Sequence, residues 1–186
     1  MGRKVEPMTQ VGFNGMWLPE EQDPRMHDVA SRGERAVLVE YLEHYRKTIE
    51  LKCDGLTPEQ LGTRSVPPSR MSLLGIVRHM ARVEQSWFRR TIESNGELAR
   101  HFQDEDGGFE FGEPTQELVD ESFALLRAEV AHAREVLEHT DLDALVDVHG
   151  DEAEVRDIIV HMVEEYARHA GHADLLRECI DGRTGQ

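Results

Sequence analysis

Four stretches of this chain repeat apolar residues at the spacing of an α-helix, and each stretch carries a single apolar stripe. They begin near Ser31, Ser72, Thr115 and Ala153, and the last one ends at Asp181. A helix with one apolar stripe must bury that stripe against a neighbour, and four such helices are typical of a four-helix bundle. No stretch sustains the alternation of a β-strand, so the sequence predicts an all-α fold without a sheet.

Local signals mark where these helices begin and end. Ser31 and Glu34 have the spacing of a capping box at the start of the first helix, and Gly55 is expected to end it. The segment 57–60, with Pro at its second residue, predicts a short capped turn. Ser72 is the expected N-cap of the second helix, which we expect to extend to the Asn-Gly pair at 95–96.

The connection between the second and third helices, residues 95–114, is long, rich in glycine and acidic. Residues 95–121 contain nine acids and one base, which is half of the formal net charge of -16. A solvated loop that leads into a helix N-terminus explains these acids better than a dedicated cation or partner site. Long loops in compact domains usually have a role, so we expect this crossover to cover one end of the bundle.

Composition narrows the class of protein. With 186 residues, the chain is long enough for one domain with a substantial core. Its 37 acids against 21 lysines and arginines argue against nucleic-acid binding, which needs an excess of basic residues. Two cysteines, Cys53 and Cys179, are too few for a disulfide framework and are expected to be reduced thiols in a cytoplasmic protein. No apolar run approaches the roughly 20 residues that span a bilayer, so no membrane segment is expected.

The chain is expected to comprise three parts. Residues 1–30 form an irregular N-terminal extension, residues 31–182 form the bundle, and residues 183–186 form a C-terminal tail. The extension contains three apolar side chains that we expect to lie across the domain surface: Phe13, Trp17 and Leu18.

Three histidines and a glutamate fall close together on the fourth helix. Relative to His161, an ideal helix places His172 at about 20°, Glu165 at about 40° and His169 at about 80°. Glu165 and His169 therefore face the edge of the apolar stripe, and their spacing of four residues lets both side chains converge on one point. His161 and His172 lie toward the rim of the stripe, where we expect them to flank Glu165 and His169 without a catalytic role assigned to them; either could also take the place of one of these two residues.

An ionised glutamate that faces an apolar core is costly unless it is neutralised, and a metal ion would neutralise Glu165. His79, at the edge of the stripe on the second helix, is the best third ligand. Two histidines and one glutamate leave a coordination position open, as in catalytic zinc sites, and also suit nickel, iron or manganese. Spacing alone leaves two alternatives open: His79 as a hydrogen-bonded core histidine, and Glu165–His169 as an ordinary pair. Glu84 also falls inside the stripe, where pairing with an arginine would neutralise it.

Two segments resemble the DinB superfamily, and in particular its actinobacterial-type mini-circle subfamily: residues 73–88 and 161–178. The resemblance extends over residues 33–182 and implies a four-helix bundle with a long crossover. It also implies a divalent-metal site formed by His79, Glu165 and His169. The superfamily usually has histidine at the position of Glu165. The related mycothiol-dependent maleylpyruvate isomerase uses a His/Glu/His zinc set, which makes zinc the expected metal.

The resemblance also implies chemistry: a metal-dependent S-transferase or isomerase that uses a low-molecular-weight thiol such as mycothiol or bacillithiol with a small-molecule substrate. A homodimer is expected, since related proteins often form one. Two other interpretations stay open: a non-catalytic metal- or small-molecule-binding stress protein, and, more weakly, a metal-dependent hydrolase. The net charge argues against direct action on DNA.

Two features distinguish this chain from the subfamily that it resembles. Residue 157 is Asp, where the subfamily usually has an aromatic residue, and the loop at 146–154 is short and acidic. Acids near the cavity mouth favour neutral or cationic substrates, unless arginines such as Arg78 or Arg168 intervene.

Overall fold

The computed structural model describes residues 15, 17–26, 31–103 and 105–186 of the chain. Its regular elements over those residues are α1 (Glu34–Cys53), α2 (Pro58–Gly62), α3 (Leu73–Glu84), α4 (Gln116–His139), β1 (Leu145–Val148), β2 (Asp151–Glu154) and α5 (Val155–Asp181). Helix α3 continues as a π-helix over Gln85–Ile92. The predicted mainly helical bundle with a long crossover is confirmed.

The bundle is built from two tight helix pairs, α1 with α5 and α3 with α4. Their apolar stripes meet in one core, as the single stripe on each helix predicts. The following side chains are almost completely buried there: Leu42, Ile49, Leu73, Leu74, Ile76, Met80, Phe88, Ile159 and Met162. No helix among the described residues is both long and apolar enough to cross a membrane.

Most of the predicted helix starts are confirmed. The side chains of Ser72 and Thr115 accept hydrogen bonds from backbone N–H groups in the first turns of α3 and α4. The predicted turn at 57–60 is α2, which begins with a complete capping box. The predicted box at Ser31 and Glu34 is wrong, because Gly33 is the N-cap of α1 and offers no side-chain acceptor. Glu34 instead forms an ion pair with Arg156.

The prediction that the fold lacks a sheet is also wrong. Strands β1 and β2 form an antiparallel hairpin over residues 145–154, where the sequence indicated only a short acidic loop at 146–154. Helix α5 consequently begins two residues later than predicted. Its turn contains His149 and Gly150, both with positive φ, as two-residue hairpin turns require. Each strand has only four residues, too few to display a recognisable alternation.

A buried charged network ties three helices together at the centre of the bundle. Glu84 on α3 is 0% exposed and accepts hydrogen bonds from Arg46 on α1 and from the Tyr166 hydroxyl on α5. Burial and the adjacent Glu84 carboxylate raise the pKa of Tyr166, so its phenol stays protonated and donates. The arginine expected beside Glu84 is therefore Arg46, and the network fixes α3 and α5 relative to each other.

The described part of the N-terminal extension packs on the bundle together with the C-terminal tail. Trp17 is 1% exposed, and its backbone N–H donates to the carbonyl of Gln186 at 2.7 Å. Lys52 Nζ lies 4.0 Å and the Arg183 guanidinium 3.6 Å from the centre of the Trp17 ring. Phe13 lies outside the described residues.

Candidate metal centre

The three residues expected to hold a metal lie together where α3 packs against α5. His79 comes from α3, and Glu165 and His169 come from successive turns of α5. One ligand atom from each of the three lies within 4.8 Å of the others. The two flanking histidines are adjacent but separate: His161 Nε2 lies 3.7 Å from Glu165 Oε1, and the His172 ring lies 5.4 Å from the His169 ring.

The crossover holds His79 in place. The Nδ1 atom of His79 lies 3.1 Å from the carbonyl oxygen of Gly107, so it must carry a proton and donate. This bond leaves Nε2 unprotonated, with its lone pair free to bind a metal. Phe109 stacks on the same ring, with 4.5 Å between ring centres. Gly108, with φ +106°, lets the crossover backbone approach closely, because a Cβ atom there would lie 2.8 Å from the backbone nitrogen of His79.

The Glu165 carboxylate has no hydrogen-bond donor among the described residues, although its side chain is only 28% exposed. Its Oε2 atom lies 3.8 Å from His169 Nε2, which is too far for a hydrogen bond. Ligands bound tetrahedrally at zinc–ligand distances of about 2.0–2.1 Å lie roughly 3.4 Å apart. The observed spacing is therefore close to what an ion between these atoms requires.

Both histidines of the triad are held in the neutral form. Burial lowers the pKa of His79 even though its hydrogen bond to Gly107 and the charge of Glu165 oppose the change. Burial also lowers the pKa of His169 to about 4, and the neighbouring His79 and His172 rings add to the effect. In a neutral imidazole, one ring nitrogen carries no proton and can bind a metal ion directly, so both histidines are ready to act as ligands.

The donor set fits a divalent cation. Two neutral imidazoles and one carboxylate with a coordination position left open match catalytic zinc sites, and the same set binds iron in other proteins. The Glu165 carboxylate has no hydrogen-bond donor among the described residues, and a metal ion would neutralise it. The Nδ1 atom of His169, which points away from Glu165, also has no partner among those residues and is expected to be satisfied by water. Because hydrogen bonds within the protein leave Glu165 unsatisfied, the residues present suit a metal ion.

The structure adds features that the sequence analysis missed. Trp87, in the π-helical continuation of α3, packs edge-on against His161 with ring centres 4.7 Å apart. Beside Trp87 lies a cavity of about 360 Å³, which the hairpin turn and the start of the crossover also line. In the sequence, the pair Gly107-Gly108 indicates that the crossover backbone could approach another element closely. Nothing in the sequence identifies His79 as the residue that it contacts.

Neither cysteine is suited to act as a nucleophile at this site. Burial raises the pKa of Cys53 to about 12, and this residue lines a different cavity, between α1 and α4. Cys179 is exposed near the end of α5, more than two helical turns beyond His169. A thiol that reacts at the triad must therefore come from a second molecule.

Comparison with known proteins agrees with this fold. No curated protein matches the chain. A crystal structure of a conserved protein from Enterococcus faecalis has a similar fold, with a TM-score of 0.60 and 15% sequence identity over 82% of this chain and 99% of that chain. The family model for mycothiol S-transferases matches residues 37–182. Because that match extends over well more than half of its length, the chain belongs to the mycothiol S-transferase family.

Proposed function

We propose that this protein is a metal-dependent S-transferase that joins mycothiol, or a similar low-molecular-weight thiol, to a small electrophile. The observation that carries the proposal is the convergence of His79, Glu165 and His169 on one point beside an open cavity. Membership of the mycothiol S-transferase family supports the thiol as cosubstrate. The homodimer and the domain limits expected from the sequence remain predictions.

In this proposal the triad holds one divalent ion, with zinc as the expected metal. A bound zinc ion lowers the pKa of a thiol, so that the thiol reacts as a thiolate at neutral pH. The Gly107 carbonyl fixes the ring of His79, and Phe109 covers one face of that ring and excludes water from it. The protein therefore supplies a rigid site with one open side.

We assign His161 the role of accepting the thiol proton at Nε2. This atom lies 3.7 Å from Glu165 Oε1, at the edge of the triad but outside it, and the imidazole ring is held against Trp87. The thiol proton passes to His161, the thiolate sulfur forms a bond to an electrophilic carbon, and the leaving group takes the electron pair of the bond that breaks. His161 then releases the proton to solvent.

Metal content tests the site directly. The protein, made without an affinity tag in medium that contains zinc and nickel, is expected to bind about one divalent ion per chain by elemental analysis. His79→Ala and Glu165→Gln should lose most of this metal, because each removes one of three ligands. His139→Ala, an exposed histidine at the end of α4, is the matched control and should retain it. Wild-type protein that contains no metal would contradict the proposal.

Turnover separates an enzyme from a binding protein. With mycothiol and monochlorobimane, the metal-loaded protein is expected to form the thioether, which is fluorescent. Chelation should abolish the reaction and added zinc should restore it. A metal-loaded protein that conjugates none of the bacterial thiols would instead support a non-catalytic role in binding metal or small molecules.

A further inference from the structure

We propose that the cavity beside the metal centre binds an anionic group of the electrophile, with a carboxylate as the simplest case; this inference rests on the proposed function and names its substrate class. We call it the arginine cavity and define it by six of its lining residues: Arg82, Val83, Trp87, Arg90, Arg100 and Val148. It has a volume of about 360 Å³, which is enough for a small organic molecule.

The charge of the arginine cavity is opposite to that of the whole protein. Three arginines and one acid, Asp147, line the cavity, whereas the chain has a formal net charge of -16. Arg90 and Arg100 have no hydrogen bond or ion pair within the described ranges, although many arginines elsewhere in the structure are paired. Unpaired guanidinium groups around a cavity are suited to a carboxylate, which accepts two parallel N–H donors.

Arg82 gives the cavity one fixed cationic group. Its Nη1 atom donates to the backbone carbonyls of His101 and Phe102 at 3.2 and 3.1 Å. These two bonds hold the guanidinium in place and leave its Nε and Nη2 atoms without a partner among the described residues. A positioned donor loses less conformational entropy on binding than a mobile one, so Arg82 is preorganised for an anion.

The arginine cavity is next to the metal centre. Trp87 lines the cavity and also contacts His161, which approaches Glu165 within 3.7 Å. On the other side, a Cβ atom at Gly107 would lie 3.5 Å from His79 Nδ1 and 4.0 Å from Arg82 Cδ. The cavity and the triad are therefore connected through the Trp87–His161 contact and through Arg82 and Gly107, and an elongated molecule held by the arginines is expected to extend toward the triad.

Two acids of the crossover are neutralised by ion pairs, which weakens the repulsion of an anionic substrate. Glu110 forms ion pairs with Arg64 and Arg70, and Glu105 forms one with Arg78. These acids are thus neutralised by arginines outside the arginine cavity. The expectation of neutral or cationic substrates made an exception for arginines such as Arg78, and Arg78 does pair with Glu105.

Two electrophiles of similar size and shape test the proposal: the anion 4-(chloromethyl)benzoate and the neutral 4-(chloromethyl)benzamide. In both, the thiolate forms a C–S bond to the benzylic carbon, chloride leaves with the C–Cl electron pair, and the thiol proton goes to the protein base and then to water. The measured quantity is the ratio of kcat/KM for the benzoate to kcat/KM for the benzamide, with mycothiol and metal-loaded protein.

The double variant Arg90→Gln, Arg100→Gln is expected to lower this ratio at least about tenfold, because each arginine offers a charge-assisted hydrogen bond to the carboxylate. The double variant Arg127→Gln, Arg134→Gln, which removes the same two charges from exposed ion pairs with Glu50 and Glu43, is the control and should leave the ratio unchanged. A ratio that is the same in the wild-type protein and in the Arg90/Arg100 variant would overturn the proposal. An equal decrease in the Arg127/Arg134 control would also overturn it, because the effect would then be one of overall charge.

Binding of an unreactive probe tests the cavity without requiring turnover. Of the two tryptophans, Trp87 lines the cavity and Trp17 is buried elsewhere, so 4-methylbenzoate should change the fluorescence of Trp87. The double variant should bind this probe at least about tenfold more weakly, and 4-methylbenzamide should bind weakly to both proteins. If the wild-type protein binds the benzoate selectively but conjugates nothing, the proposed function fails and the anion site stands. If it conjugates both electrophiles without preference for charge and binds neither probe selectively, the function stands and the anion site is refuted.

Discussion

Removal of one partner of the buried Arg46–Glu84 pair should strongly destabilise the bundle. Glu84 is completely buried and accepts hydrogen bonds from Arg46 Nε at 2.8 Å, Arg46 Nη2 at 2.7 Å and the Tyr166 hydroxyl at 2.6 Å. Arg46→Met removes two of these donors and leaves a buried carboxylate with one. Breaking a buried ion pair in this way costs about 3–5 kcal/mol. For a domain of this size, that corresponds to a decrease in Tm of roughly 6–20 °C.

Urea unfolding followed by circular dichroism measures this cost, with every variant kept free of metal by a chelator so that metal binding does not contribute. The double variant Arg46→Met, Glu84→Gln removes the charge as well as its partner and should be more stable than Arg46→Met alone. Arg127→Met, which breaks an exposed pair, should change the free energy of unfolding by less than about 1 kcal/mol. The reasoning is refuted if Arg46→Met costs less than about 1 kcal/mol, or if the two substitutions are simply additive.

Two further predictions concern the crossover and the response to acid. Gly108→Ala should destabilise the protein by at least about 1–3 kcal/mol in urea unfolding and lower its metal content. The new methyl group would clash with the backbone of His79, and alanine disfavours a φ of +106°. Unchanged stability and metal content would show that the crossover does not support the metal site. Burial opposes ionisation of Glu43, but hydrogen bonds and charges from the flanking Arg134 and Arg46 outweigh it and lower its pKa. The stability that Glu43 contributes is therefore fully present above pH 4.5 and lost as the pH falls through its lower folded-state pKa. Glu43→Gln should unfold with a weaker dependence on pH in that acid range, and an identical dependence would contradict the assignment.

The helices were predictable because their signals are local. An apolar stripe and an N-cap such as Ser72 or Thr115 lie within one segment and require no knowledge of what packs against it. The two ligands on α5 were accessible for the same reason, since helical spacing alone brings Glu165 and His169 to one point. To identify His79 as the third ligand, it was also necessary to infer that the apolar stripes of the second and fourth predicted helices face each other, as they do in a four-helix bundle.

The remaining features depend on contacts between distant residues. The hydrogen bond from His79 to Gly107 joins positions 28 residues apart, and no periodicity encodes it. Strands of four residues are too short to separate from a loop by pattern. The arginine cavity combines the end of α3, the crossover and the hairpin turn, so its charge becomes visible only after these segments are brought together. Arg78, whose part in neutralising the acids the sequence left open, is 5% exposed, packs over Phe102 and pairs with Glu105.

The division of the site among different elements has a consequence for how such a protein can evolve. The metal ligands belong to α3 and α5, whose relative position the Arg46–Glu84–Tyr166 network fixes. Part of the wall of the neighbouring cavity comes from the crossover and from the hairpin, and the rest comes from α3 and its π-helical continuation. Connecting segments tolerate substitution and insertion better than packed helices. New substrate preferences can therefore arise by changes in these loops, while the reactive centre and the stability of the bundle are inherited intact.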